Sequence, residues 1–245
     1  MNVLIVHAHP EIQSFTTAMK DTAVHALTAT GHTVQVSDLY QMHWNPVASA
    51  DDFGFRSNPD YLVYALEQRE NYKKGTLAPD IAAELEKLKW CDLLILSFPI
   101  FWFSMPAIMK GWVDRVMVSG YCYGGKRFYA QGGLRGKKAL LAYSLGSRSH
   151  MFGPDSVHGD IDLMLRSLLR GTLGYVGFDV LPSFIAWHVP YISHEERVEY
   201  LAQYRNYLGL LDKATPLTVP SLADFDDEMR PKQRVAENPN TALVA

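Results

Sequence analysis

A proline and an isoleucine followed by three aromatic rings, Pro99-Ile100-Phe101-Trp102-Phe103, form the segment of this chain best equipped to hold a ligand. The segment offers flat apolar walls and backbone amides but little charge. That chemistry suits a planar heteroaromatic ring better than a sugar or a metal, the alternative being a hydrophobic plug between a helix and a sheet. A second polar cluster, His7-Ala8-His9-Pro10-Glu11-Ile12-Gln13-Ser14-Phe15, leads into a helix whose free N–H groups and positive dipole end would hold a phosphate or pyrophosphate. Neither G-x-x-x-x-G-K-[ST] nor G-x-G-x-x-G is present there, so it is neither a Walker site nor a conventional dinucleotide fingerprint. His7 and His9 would share one face of a strand, but no carboxylate or thiol stands at ligand spacing, and no metal is expected.

The elements that must position these residues alternate in type. Residues 3–6 and 93–98 are continuous apolar runs fit for buried strands. Ser14 is the expected N-cap and Gly31 the expected stop of a helix with Phe15, Ala18, Met19, Thr22, Ala23, Ala26 and Leu27 on one face. Pro106 suits the first turn of a helix carrying Ile108, Met109, Trp112, Val113 and Val116. Further strands are expected at 33–37, 139–145 and about 178–185, and helices near 80–88, 161–169 and 193–211, the last opening on a Ser193-His194-Glu195-Glu196 capping box. Five strands alternating with helices indicate one doubly wound parallel sheet. In the order 2-1-3-4-5 the ends of the first and third strands flank the switch point where such sheets bind ligands, and both distinctive loops follow those strands. A flavin is the planar ligand that fits this arrangement.

The segments HAHPEIQSF, FPIFWFSMPAIMKGWVDRV and VHGD (157–160), with SDLYQMHWNPV (37–47), YKKGTLAPDI (72–81) and GFDVL (177–181), resemble the NAD(P)H:quinone oxidoreductase (DT-diaphorase) family of flavodoxin-like flavoproteins over about residues 2–211. The resemblance implies a flavodoxin-like fold and hydride transfer from NADH or NADPH through flavin to a quinone, a ping-pong scheme in one slot at a homodimer interface. It assigns the flavin's phosphate side to His9, Gln13, Ser14, Phe15, Thr16 and Ala18, and its ring to Pro99, Ile100, Phe101, Trp102 and Phe103. Ser144, Leu145, Gly146 and Ser147 fall near the ring's polar edge, where the family typically has two Thr and two Gly. Arg197 matches a basic residue at the adenine end, which favours FAD over FMN. His158 matches the family's catalytic His, while Phe152 stands where the mammalian type has Tyr. Substrate would meet Trp102, Phe103, Phe152 and His158, together with Tyr175 and Tyr123. Rival readings are an azo- or nitro-aromatic reductase on the same site and a flavin-bearing regulatory subunit of a transporter.

Composition fits a cytoplasmic enzyme. The 245 residues are 48% hydrophobic without an apolar run of membrane-spanning length. A net charge of −3 gives no reason to expect nucleic acid, and two cysteines are too few for a disulfide framework. Met1 leads straight into a core strand, without a signal peptide. Residues 1–214 read as one domain and 215–245 as a Pro-containing acidic arm or tail, lying on a neighbouring subunit or partly disordered. Residues 41–79 form a long excursion between the second and third strands, of the length that usually serves function or a partner. The loop of Tyr121, Tyr123, Gly124 and Gly125 is either a lid or a surface loop with packed tyrosines.

Overall fold

The computed structural model describes residues 1–232, so the end of the expected tail lies outside the described residues. In chain order the elements are β1 (Asn2–His7), α1 (Phe15–Ala29), β2 (Thr33–Asp38), α2 (Tyr64–Lys74), α3 (Pro79–Trp90), β3 (Leu93–Pro99), α4 (Ala107–Val116), β4 (Lys138–Ser144), α5 (Ile161–Met164), α6 (Arg166–Leu168), β5 (Asp179–Val180), β6 (Phe184–Ala186) and α7 (His194–Leu208). β1 and β3 are apolar at nearly every position because helices cover both faces of the sheet. Val3, Ile5, Leu93, Ile95 and Leu140 pack under Met19, Ala23 and Leu27 of α1 and Tyr204 and Leu208 of α7. Leu4, Val6, Leu94, Leu96, Phe98 and Leu141 face Leu85 and Leu88 of α3 and Met109, Trp112 and Val113 of α4. Each fully buried Val, Leu or Ile contributes about 1.5–3 kcal/mol, and a slip of one residue would move each of them into the opposite helical layer.

The sheet is parallel and flavodoxin-like, in the order β2-β1-β3-β4, but its far edge corrects the five-strand expectation. Two short strands, β5 and β6, fill the expected fifth position, and both pair with β4. Ala139 faces Val180 and Ala142 faces Phe184, so the edge carries one residue more than β4 over the same stretch. The surplus falls at Pro182-Ser183, where proline removes a ladder donor and the edge bulges. Leu217 then donates its N–H to Val180 O, so the first part of the arm runs along β5 of its own chain. Two smaller differences concern helices. Pro106 is the N-cap of α4 rather than a first-turn residue. The single helix expected over 161–169 is interrupted at Leu165 (φ −87°, ψ 8°) and continues into a π-helical turn, Leu169–Gly174.

The excursion contains a helix that apolar periodicity could not reveal, because the inward face of α2 is polar. Glu67, Gln68 and Asn71 are all buried. The Glu67 carboxylate accepts from the Ser57 N–H (2.8 Å), the Ser57 hydroxyl (2.8 Å) and the Asn58 N–H (3.0 Å). Gln68 bonds to Asp114 O and the Ser119 N–H, and Asn71 to both backbone groups of Phe55. Arg115 of α4 anchors the same segment. It donates twice to Asp52 (2.7 and 3.0 Å), to Asp80 (2.7 Å) and to Asn45 O (2.9 Å), with Trp44 stacked 4.6 Å from its guanidinium. Gly111 permits this contact, since a Cβ there would stand 2.2 Å from Pro46 O.

Removing Arg115 would leave Asp52 buried beside fewer donors. Arg115→Ala should therefore cost about 3–5 kcal/mol in chemical unfolding, and a loss under 1 kcal/mol would show that the pair carries no net role. The donated bonds, that from the Ser57 N–H foremost, hold Glu67 down at about 2 against the opposing effect of burial. Its contribution to stability is thus complete above the usual carboxylate range and drains away as pH falls towards 2. Amide exchange in residues 55–75 should accelerate over that window in the parent chain, and Glu67→Gln should flatten the dependence.

Candidate active site

Three loops meet above the carboxyl ends of β1, β3 and β4. At the first, the His7 ring lies 3.2 Å from Ser97 Oγ and 3.2 Å from Thr17 Oγ1, joining β1, β3 and α1. Burial pushes its pKa down to about 4, so it is a neutral peg at pH 7. His9 Nδ1 accepts from the Glu11 N–H (3.0 Å), and desolvation lowers its pKa as well. Ser14 caps α1 by accepting from the Thr17 N–H (3.1 Å). The N–H groups of Phe15 and Thr16 have no acceptor among the described residues, which leaves the anion-binding end of the helix open.

The second loop turns on two aromatic residues. Phe101 and Ser104 exchange backbone hydrogen bonds at 3.0 Å around Trp102 (φ 51°) and Phe103 (φ 54°). A two-residue turn with both central φ angles positive normally employs Gly or Asn, and a larger residue held there costs on the order of 1–3 kcal/mol. The turn throws Trp102 outward to 97% exposure and leaves Phe101 at 46% and Phe103 at 42%. The third loop follows β4. Thr16 Oγ1 and Ser144 Oγ are 2.8 Å apart, and the Ile100 N–H donates to Ser144 O (2.9 Å), so Ser144 ties both other loops to its own.

Between the loops lies a cleft of about 690 Å³. Most of the residues expected to hold a cofactor line it: His9, Gln13, Ser14, Phe15, Thr16 and Ala18 from the first loop and α1, Pro99, Ile100 and Phe101 from β3, Ser144, Leu145 and Gly146 after β4, and Arg197 from α7. Trp102, Phe103, Ser147 and Phe152 stand outside its lining. Phe103, Phe152 and His158 gather in a separate cluster, with ring centroids 5.0–6.3 Å apart, and Trp187 adds to it 5.1 Å from Phe152. The His158 imidazole has no hydrogen-bond partner among the described residues. Tyr123 and Tyr175 pack together at 5.8 Å, with Phe128 stacked on Tyr175.

Sequence reasoning missed the wall formed by Val189, Pro190, His194, Val198 and Leu201. Its signal is the spacing of His194, Arg197, Val198 and Leu201, which is one face of α7. Arg197 itself is held by Val189 O, 3.2 Å from Nη2. A second groove, of about 600 Å³, runs along the outer side of the Ser144–Ser147 loop past Arg148, Trp187, His188 and Tyr191. Among the described residues, no three His, Cys, Asp or Glu side chains gather as a metal site.

Comparison with known proteins agrees with this architecture. The family model described as the flavodoxin-like fold matches residues 1–208. Mouse ribosyldihydronicotinamide dehydrogenase [quinone] is 43% identical over 216 residues, covering 88% of this chain and 94% of its own. Rat NAD(P)H dehydrogenase [quinone] 1 is 38% identical, covering 91% and 82%. The crystal structure of a candidate quinone reductase from Klebsiella pneumoniae superposes with a TM-score of 0.92 at 35% identity, covering 96% of this chain and 95% of that one. With residues 1–208 matched by the family model and relatives about 40% identical over most of both chains, the chain belongs to the flavodoxin-like NAD(P)H:quinone oxidoreductase family.

Proposed function

We propose that this chain is a flavin-dependent NAD(P)H:quinone oxidoreductase. The observation that carries the reading is the cleft itself, lined both by the start of α1, whose first N–H groups have no acceptor among the described residues, and by Pro99, Ile100 and Phe101. That combination of an anion-binding and a planar, apolar lining matches a flavin phosphate joined to an isoalloxazine. The α7 wall of Arg197, Val198 and Leu201 adds a cationic and apolar surface to the same cleft as Ser14, which favours FAD over FMN. A bound flavin would take hydride from a reduced nicotinamide and give it up to a quinone, one planar slot serving both substrates in turn.

The chain's own residues bind, orient and exclude water. The Ser14-capped start of α1 holds the phosphate side, while Pro99, Ile100 and Phe101 line the ring. His158 presents an imidazole with no competing partner, able to hold a proton towards a substrate oxygen. Phe152 supplies only a wall, and the hydrogen bond it cannot make would be worth about 1–3 kcal/mol if its acceptor went unpaired. Trp102, flanked by two half-exposed phenylalanines, is an aromatic patch that needs a cover. A second copy of the chain supplies it, bringing the Phe103, Phe152 and His158 cluster into a shared slot with Tyr123 and Tyr175. No described helix is long and apolar enough to cross a membrane, both cysteines are free and buried, and the cytoplasm is the proposed compartment.

The purified protein should be yellow with about one flavin per chain, and denaturation should release FAD by mass. Colourless protein that takes up neither FAD nor FMN would overturn the reading. In stopped-flow reduction by NADPH, His158→Ala should slow flavin reduction more than it changes nicotinamide affinity. Phe152→Tyr should hold or raise that rate, by up to about tenfold for one hydrogen bond of ~1.4 kcal/mol. A normal rate in His158→Ala, or a large loss in Phe152→Tyr with flavin still bound, would remove these two residues from the chemistry.

A further inference from the structure

The loop after β4 borders the cleft on one side, and on the other it is gripped by a residue that does not line the cleft. His188 occupies the left-handed region (φ 57°, ψ 24°), a conformation uncommon outside Gly and Asn. That backbone brings its ring to the loop. Nδ1 lies 2.7 Å from Gly146 O, and because a carbonyl only accepts, Nδ1 carries the proton. Nε2 then presents its lone pair to the Arg148 Nε–H at 3.3 Å. Around this contact the backbone is clamped as well. The His188 N–H donates to Ser147 O (3.0 Å), the Val189 N–H to Leu145 O (3.1 Å) and the Leu145 N–H to Ala186 O (3.1 Å). Tyr191 closes the outer side, its ring 4.9 Å from that of His188 and 3.7 Å from where a Cβ on Gly146 would stand.

A trans peptide points its C=O and its N–H in opposite directions. Holding Gly146 O outward therefore turns the Ser147 N–H the other way, across the loop from His188. Among the described residues that N–H has no acceptor. Ser144, Leu145 and Gly146 line the cleft, and Ser147 follows them just outside its lining. We infer that His188 is a positioning residue, which by capturing the Gly146 carbonyl holds the cleft-lining Leu145–Gly146 backbone, and the Ser147 N–H that follows it at the rim of the cleft, in a fixed orientation toward the polar edge of the bound ring. The inference rests on the flavin reading above and adds a residue that touches neither cofactor nor substrate. It also accounts for a loop reading Ser-Leu-Gly-Ser, in which a rigid clamp from outside takes over what a second glycine could otherwise supply through freedom of the chain.

Two substitutions separate positioning from folding. His188→Gly removes the donor yet suits a positive φ, whereas His188→Asn tolerates the same backbone and returns an N–H donor near the position of Nδ1. Titration of flavin-free protein with FAD and with FMN, followed by flavin fluorescence, should give His188→Gly a dissociation constant about tenfold weaker than the parent, with an unfolding temperature unchanged or higher. The visible bands of its bound flavin should shift, because a hydrogen bond to the ring has been lost. His188→Asn should return affinity to within about threefold of the parent and restore the bands. Parent-like affinity and spectrum in His188→Gly, or no recovery in His188→Asn, would overturn the inference while leaving the cleft a flavin site. A parent chain that takes up neither flavin would bring down the reading of the cleft, and this inference with it.

Discussion

The β3–β4 ladder is the constraint on which the candidate site depends. It runs without interruption from Leu93 opposite Lys138 to Pro99 opposite Ser144, and the Ile100 N–H extends it by one bond to Ser144 O. Two apolar strands buried on both faces cannot slip by a residue without turning every side chain to the wrong layer. The ladder therefore delivers the aromatic turn and the Ser144–Ser147 loop to the same level. Ser144 passes the alignment on to α1 through Thr16, and His7 repeats the connection between β1, β3 and α1. The strain in the Trp102-Phe103 turn can persist because the ladder beneath it leaves the chain no other exit.

A different physics holds the excursion between β2 and α3. Its inward groups are Asp52, Glu67, Gln68 and Asn71, and the donors that satisfy them come from backbone, tyrosine and arginine. Such a network adds little net stability compared with a well-packed apolar core, but it is demanding about geometry, since each member left unpaired is costly. The Arg115 end of α4 is thereby fixed to the segment following β2, while the other end of the same helix begins just after the aromatic turn.

The parts of this architecture legible in the sequence are those governed by apolar period and capping. The strands at β1, β3 and β4 emerge as continuous apolar runs, and the caps at Ser14 and Ser193 form as their residue types imply. The α2 helix was hidden because its buried face is polar, so it reads as solvent-facing on any hydrophobicity pattern. The division of the sheet edge turns on Pro182 within an otherwise strand-like run, a local effect that a period of two does not register. At the cleft, the anion-binding start of α1 was identifiable from its position after a strand, whereas the Ser144 loop was supplied by the family resemblance. Apart from Arg197, which the same resemblance supplied, the contribution of α7 was not identifiable, because His194, Val198 and Leu201 approach from about 180 residues away in sequence, and only the fold brings them over α1.

The broken edge of the sheet also bears on how copies of this chain can meet. An unpaired strand edge is a template on which another strand can add, and that mode of growth has no natural end. Here the edge beyond β4 is two short pieces offset by a bulge, with Leu217 satisfying Val180 O and the Tyr207 hydroxyl satisfying Pro182 O. Little straight, unsatisfied backbone remains there to recruit a neighbour. Fibrous stacking through that edge is discouraged, whereas the exposed aromatic turn at the ligand-binding end of the strands keeps its apolar surface open to contact.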